Sequence, residues 1–147
     1  MNAPWLLIAR RELGQHEIAG PRDNPRILEY FTATTCPAPH DEVPWCSAFA
    51  NWCMAQAGIS GTRSAAAKSW ATWGVPAELE PGAVVVIQPR QAGTDAATGS
   101  SSGYHVAFFL AQDETHIHLL GGNQVDQVKE SAFPLAGYEV VGCRKPA

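Results

Sequence analysis

The two halves of this 147-residue chain carry different hydrophobic periods, and that split limits the fold more than any other feature. Up to Gly74 the apolar residues recur at helical spacing. Pro4 to Leu13 predicts a first helix, stopped by Gly14. Asn24-Pro25 opens a second through Phe31, with proline at the first helical position. Trp45–Ala57 predicts a third, ended by Gly58, and Ser64–Trp73 a fourth, ended by Gly74. Beyond Pro81-Gly82 the pattern turns to strands: Ala83–Gln88, Tyr104–Ala111, His116–Leu120, Gln127–Phe133 and Tyr138–Cys143. Helices first and antiparallel strands after is the α+β pattern, here with helices packed on a five- to six-stranded sheet. The length suits one domain over residues 1–147. The Gly/Ser/Ala/Thr segment between Gln91 and Gly103 reads as a surface loop.

Charge excludes some functions. The net charge is -4, and no basic stripe marks a nucleic-acid partner. The apolar runs Trp5–Ala9, Ala83–Ile87 and Val106–Ala111 fall far short of the roughly 18 residues of a membrane span, so no membrane insertion is expected. The apolar N-terminal stretch is followed by arginines and by no small-residue cleavage site, so it is not expected to act as a secretory signal. The expectation is synthesis in the cytoplasm, with delivery by another system for any work in the periplasm or cell wall.

Four cysteines stand at 36, 46, 53 and 143 without metal-ligand spacing. Cys46 and Cys53 are seven apart on one helix, about 10 Å, too far for a disulfide. Cys36 and Cys143 are free thiols packed as small hydrophobes or a bridge. Val43-Pro44-Trp45-Cys46-Ser47-Ala48-Phe49 places Cys46 in the first turn of its helix, where the dipole favours a thiolate. The dipole stabilises by ~0.3–1 kcal/mol, while lowering a thiol from ~8.5 to ~6 needs roughly 3.4 kcal/mol. A cationic partner such as histidine is therefore needed.

His105 begins the run Tyr104 to Leu110, whose alternation puts His105, Ala107 and Phe109 on one face. Ala107 is small, so the Cys46 helix is expected to approach that face and bring the thiol to the imidazole. A satisfied core histidine is the competing reading. Asn123, after Gly121-Gly122, either makes a turn or accepts a hydrogen bond from the far nitrogen of His105. His118 is the alternative third member. His116 and His118 form an H-x-H pair without further ligands, so no metal is assigned. Trp45, Trp70 and Trp73 either line a sugar-binding groove or pack in the core.

Pro44 to Phe49, Trp52, the Ser64–Gly74 segment, Pro81 to Val85, Tyr104-His105-Val106-Ala107 and Gly121-Gly122-Asn123-Gln124 together resemble the CHAP and NlpC-type cell-wall hydrolases, in their short phage and prophage branch. The resemblance runs from Trp5 to Pro146 and implies a papain-like fold. It implies hydrolysis of peptidoglycan between sugar and L-alanine or within the stem peptide. Cys46 would be the nucleophile, His105 the base and Asn123 the orienting residue, with no cofactor. The chain departs from the pattern at Gly121, where many members carry an acid. A phage endolysin and an injected antibacterial effector both fit, the second implying an immunity or inhibitor protein. A papain-like protease or deamidase of protein substrates, and a non-catalytic wall-binding module, are the rival readings.

Overall fold

The computed structural model describes residues 3–18, 24–35, 45–91, 98 and 103–147. Three α-helices come first: α1 (Pro4–Arg11), α2 (Pro25–Phe31) and α3 (Cys46–Gln56). A 3-10 helix over Ala67–Thr72 leads into strands β1 (Val75–Pro76), β2 (Val84–Pro89), β3 (His105–Gln112), β4 (His116–Gln124), β5 (Gln127–Pro134) and β6 (Tyr138–Lys145). All pairings are antiparallel, in the order β1-β6-β2-β3-β4-β5. The fold is α+β, as the split in period predicts.

Local chemistry sets the helix ends. Asn24 caps α2 by accepting from the Arg26 N–H at 2.9 Å, and Pro25 follows at the first helical position. Gly58 ends α3 at φ +76, with Gly58 N–H on Ala55 O and Ile59 N–H on Met54 O. The expected helix over Ser64–Trp73 shrinks to the 3-10 segment. The Ser64 carbonyl, which would close its first turn, is taken by Ser47 Oγ at 2.6 Å and Asn51 Nδ2 at 3.1 Å.

The sheet curls. Between β5 and β6 lie β4, β3 and β2, a step of about 19 Å in a flat sheet at ~4.8 Å per strand. The link from Pro134 to Tyr138 reaches about 14 Å at most. The outer strands must therefore close toward each other, and Phe133 meets Tyr138 edge-on at 5.1 Å. Bulges at Val86/Ile87, Phe109/Ala111 and Gly121/Gln124 supply bends. The curl gives the sheet an inner face of Ala83, Val85, Ile87, Ala107, Phe109, Ile117, Leu119 and Phe133. Val84, Val86, Val106, Phe108, Leu120 and Val128 form the outer face, which carries the helices.

On that outer face lies α3, buried at every position from Cys46 to Met54. Such a helix is held by packing on all sides. Tyr30 of α2 sits 5.0 Å from Phe49, 5.1 Å from Trp52 and 5.9 Å from Trp45, ring to ring. Gly122 of β4 lets the first turn of α3 come close. A Cβ there would stand 2.7 Å from the Trp45 ring and 2.8 Å from Phe49 Cβ.

Candidate active site

Cys46 is the first residue of α3 and only 4% exposed. Pro44, expected to start this helix, lies outside the described residues, as do Cys36, His40, Asp41 and Glu42. Trp45 occupies the cap position without a side-chain cap bond. Burial pushes the Cys46 thiol up, against the pull of the backbone N–H groups of Val106, Ser47 and Cys46 itself on the sulfur. Desolvation thus works against the dipole-favoured thiolate expected at a helix start.

His105 opens β3, and the expected alternation holds: Val106 and Phe108 lie on the outer face, Ala107 and Phe109 on the inner. The expected approach of α3 to the Ala107 face does not occur. The helix packs on Val106 and Phe108, because Gly122 and the Val106/Phe108/Leu120 surface accept its bulky Trp45 and Phe49. The thiol and the histidine strand instead meet at the strand's beginning. There the Val106 N–H reaches the Cys46 sulfur, one residue past His105. The β3–β4 ladder starts only at Phe108↔Leu120. The His105 ring, 1% exposed, lies 5.9 Å from the Phe133 ring.

The acceptor on the far nitrogen of His105 is Gln124, not Asn123: Nε2 to Oε1 is 3.0 Å. The reason is register. Strict alternation from Gly121 would bring Asn123 to the His105 side. The pairing shifts by one residue between Gly121↔Lys129 and Gln124↔Gln127, and Asn123 takes a left-handed backbone, φ +60. That shift reverses the phase and delivers Gln124 in its place. Asn123 makes the bend, one of its two expected readings; among the described residues its Oδ1 is buried without a partner, as is Trp45 Nε1. Each such atom costs about 1–3 kcal/mol. Gly-Gly-Asn was the available signal, since Asn tolerates that conformation where most residues do not.

His118 is no third member. It pairs with Ala111 across β3–β4, six residues or roughly 20 Å along β3 from His105. Its Nε2 contacts Asp113 Oδ2 at 3.3 Å. Thr115 and His116 N–H groups, then His118, hold the Asp113 carboxyl well below the usual range. Among the described residues no cluster of three or more His, Cys, Asp or Glu could hold a metal.

The tryptophans divide. Trp45 and Trp70 are fully buried and offer no face to a sugar. Trp70 donates to Ser47 Oγ at 2.9 Å, and Ser47 donates to Ser64 O, which clamps the 62–70 segment beside the first turn of α3. Trp73 is half-buried, packs on Trp70 at 4.8 Å and donates to Ser60 O. On the same segment Lys68 stands over the Tyr104 ring, Nζ 5.6 Å from its centroid. Cys53 is a buried free thiol and Cys143 a half-buried one.

A family model described as the CHAP domain matches residues 38–123, more than half the chain. The matched span contains Cys46, His105 and Asn123 and stops one residue before Gln124. No curated protein and no solved structure gives a significant match. Among the described residues no helix is long and apolar enough to cross a membrane.

Proposed function

Because this chain belongs to the CHAP domain family of cell-wall amidases and peptidases, we propose that it hydrolyses an amide of peptidoglycan through a thioester on Cys46, with His105 as base. The observation that carries this reading is the convergence of the Cys46 sulfur, at the start of α3, on the Val106 N–H beside His105.

His105 removes the Cys46 proton as the sulfur attacks the carbonyl carbon of the bound amide. The S–C bond forms and the carbonyl electrons move to oxygen. In this reading the backbone N–H groups beside the Cys46 sulfur, at the start of α3 and at Val106, are the donors for that oxyanion. The C–N bond then breaks, His105 returns its proton to the leaving amine, and an acyl-enzyme remains. Water adds to the thioester carbonyl as His105 takes its proton; the C–S bond then breaks, the carboxylic acid leaves, and His105 returns the proton to the sulfur, restoring the thiol.

Lys68 fits the binding side of this reading. It belongs to the segment clamped on Ser47, the neighbour of Cys46, and stands over Tyr104, the neighbour of His105. No ion pair to an acidic side chain occupies its amine among the described residues. A stem-peptide carboxylate is its natural complement. Trp73 is the one tryptophan of the three with surface left to line a groove. The place of action in this proposal is the cell wall. The chain would be a phage lysin or a secreted antibacterial effector, the latter with an immunity protein.

Incubating the protein with defined muropeptides, followed by mass spectrometry, tests the substrate class. The expected result is one amide cut with one water added. Uncut muropeptides beside a cleaved or deamidated protein substrate would replace this reading with the protein-directed one. Uncut muropeptides that the protein nevertheless binds would make it a wall-binding module.

A further inference from the structure

We infer that Gln124 is the positioning residue for His105, fixing the imidazole with its hydrogen on Nε2 and its basic lone pair on Nδ1. This rests on His105 being the base of the proposed reaction.

The hydrogen-bond inventory around Gln124 permits one arrangement. Its side chain is fully buried and bonded at both ends. The amide nitrogen donates to Leu119 O at 3.2 Å and to Lys129 O at 2.8 Å. Carbonyl oxygens only accept, so the NH2 group must face them. A flipped amide would set its oxygen against both carbonyls and leave its donors misdirected. The amide oxygen therefore points at His105 Nε2, 3.0 Å away. That oxygen also only accepts, so Nε2 must carry the hydrogen. With Nε2 protonated, the neutral imidazole keeps its lone pair on Nδ1.

The room for this device comes from Gly121. A Cβ at that position would lie 2.7 Å from Gln124 Oε1 and 2.8 Å from Ala107 Cβ. Gln124, brought to the inner face by the bulge, folds back over the bare backbone of Gly121 and presents its oxygen there. The position lies just past the span that the family model matches.

The test uses full-length protein labelled with 15N-histidine. Long-range proton–nitrogen spectra, recorded where the imidazole is neutral, report which nitrogen of His105 bears hydrogen. The expected result is hydrogen on Nε2 in the unmodified protein. Hydrogen on Nδ1 overturns the inference without any variant being needed. Gln124→Leu, similar in volume but without the acceptor, should show a mixture of tautomers and lose roughly 10- to 100-fold in kcat, with KM within about twofold. Gln124→Glu, which restores an accepting oxygen, should recover part of kcat relative to Leu and keep the Nε2–H tautomer. A folded Gln124→Leu variant with unchanged tautomer and unchanged kcat also overturns the inference. Full activity in Cys46→Ala would instead remove the proposed reaction, while the tautomer measurement would still decide the role of Gln124 toward the ring.

Discussion

On one flank of α3 Asn51 uses both ends of its amide; at the other end of the helix Trp45 Nε1, and on β4 Asn123 Oδ1, are buried with no partner among the described residues. Asn51 Nδ2 donates to Ser47 O, Thr62 Oγ1 and Ser64 O, and its Oδ1 accepts from Arg63 N at 2.8 Å. Trp70 and Ser69 complete that network through Ser47 and Thr62. Around Cys46, by contrast, Trp45 Nε1 and Asn123 Oδ1 lack partners, Asn123 has a left-handed backbone, and a thiol is held in a desolvated place. The same helix thus joins a satisfied scaffold to a frustrated site. The satisfied end holds the helix in place against the cost of the unpaired atoms at the other.

The comparison breaks most visibly at the base. His105→Ala should lower amide cleavage by at least about 10³-fold, the residual catalysis coming from binding and oxyanion donors, and should cost about 1–3 kcal/mol in stability because the buried Gln124 oxygen loses its partner. Normal turnover in that variant would make the polar frustration at the first turn a packing accident.

Next comes Asn51→Ala. It leaves the Arg63 N–H and neighbouring groups without their partner and should cost about 1–3 kcal/mol in urea unfolding. Its kcat per folded molecule should change no more than a few-fold. A large kcat loss with intact stability would show that the scaffold flank belongs to the reaction.

Close approach of β4 to α3 gives a third test. Gly122→Ala puts a methyl against Trp45 and Phe49 and should destabilise by about 1–3 kcal/mol as the helix shifts. Activity should fall with it, because α3 carries Cys46. Unchanged unfolding would mean that the contact relaxes at no cost.

Much of this was legible in the chain. The periods placed three helices and five strands, because burial dictates spacing, and Pro25 and Gly58 marked ends by their backbone limits. What stayed hidden depends on contacts between elements. Nothing in Ser64–Trp73 announces that Ser64 O is bonded by Ser47 and Asn51. The side of β3 that receives α3 is decided by Gly122 on another strand. The identity of the residue on His105 turns on a one-residue bulge, which reverses which of two adjacent amides points inward. Trp45 and Trp70 look alike as core or groove until burial is known. The helix position of Cys46 displays the dipole's pull on the thiol, but the opposing desolvation comes from packing that no single segment displays.

Alkali should separate the two regions more gently. Burial raises the Tyr30 phenol, with Glu12 adding to it, and burial raises the Cys53 and Cys46 thiols. The folded chain keeps these protons where the unfolded chain releases them. The stabilisation is complete below the unfolded pKa values, about 8.5 for Cys and 10 for Tyr, and declines as pH rises above them toward the folded values. Each retained proton contributes a slope of up to ~1.4 kcal/mol per pH unit in that window. Urea midpoints from pH 8 to 10.5 should fall steadily, and less steeply in Tyr30→Phe. A flat profile would contradict the burial of these groups.

The smallest expected effect is Lys68→Ala, a two- to fivefold rise in KM, roughly what one exposed charge contributes, shrinking at high salt. An unchanged KM would move the substrate carboxylate elsewhere.

Cys46→Ala on purified sacculi addresses the sulfur itself, with new amine termini counted over time. The account predicts that release of amines stops while the variant keeps the unfolding midpoint of the parent within a few degrees, and that Cys53→Ala still cuts. Continued release by a folded Cys46→Ala protein would contradict the assignment of the nucleophile and, with it, the reaction proposed for this fold.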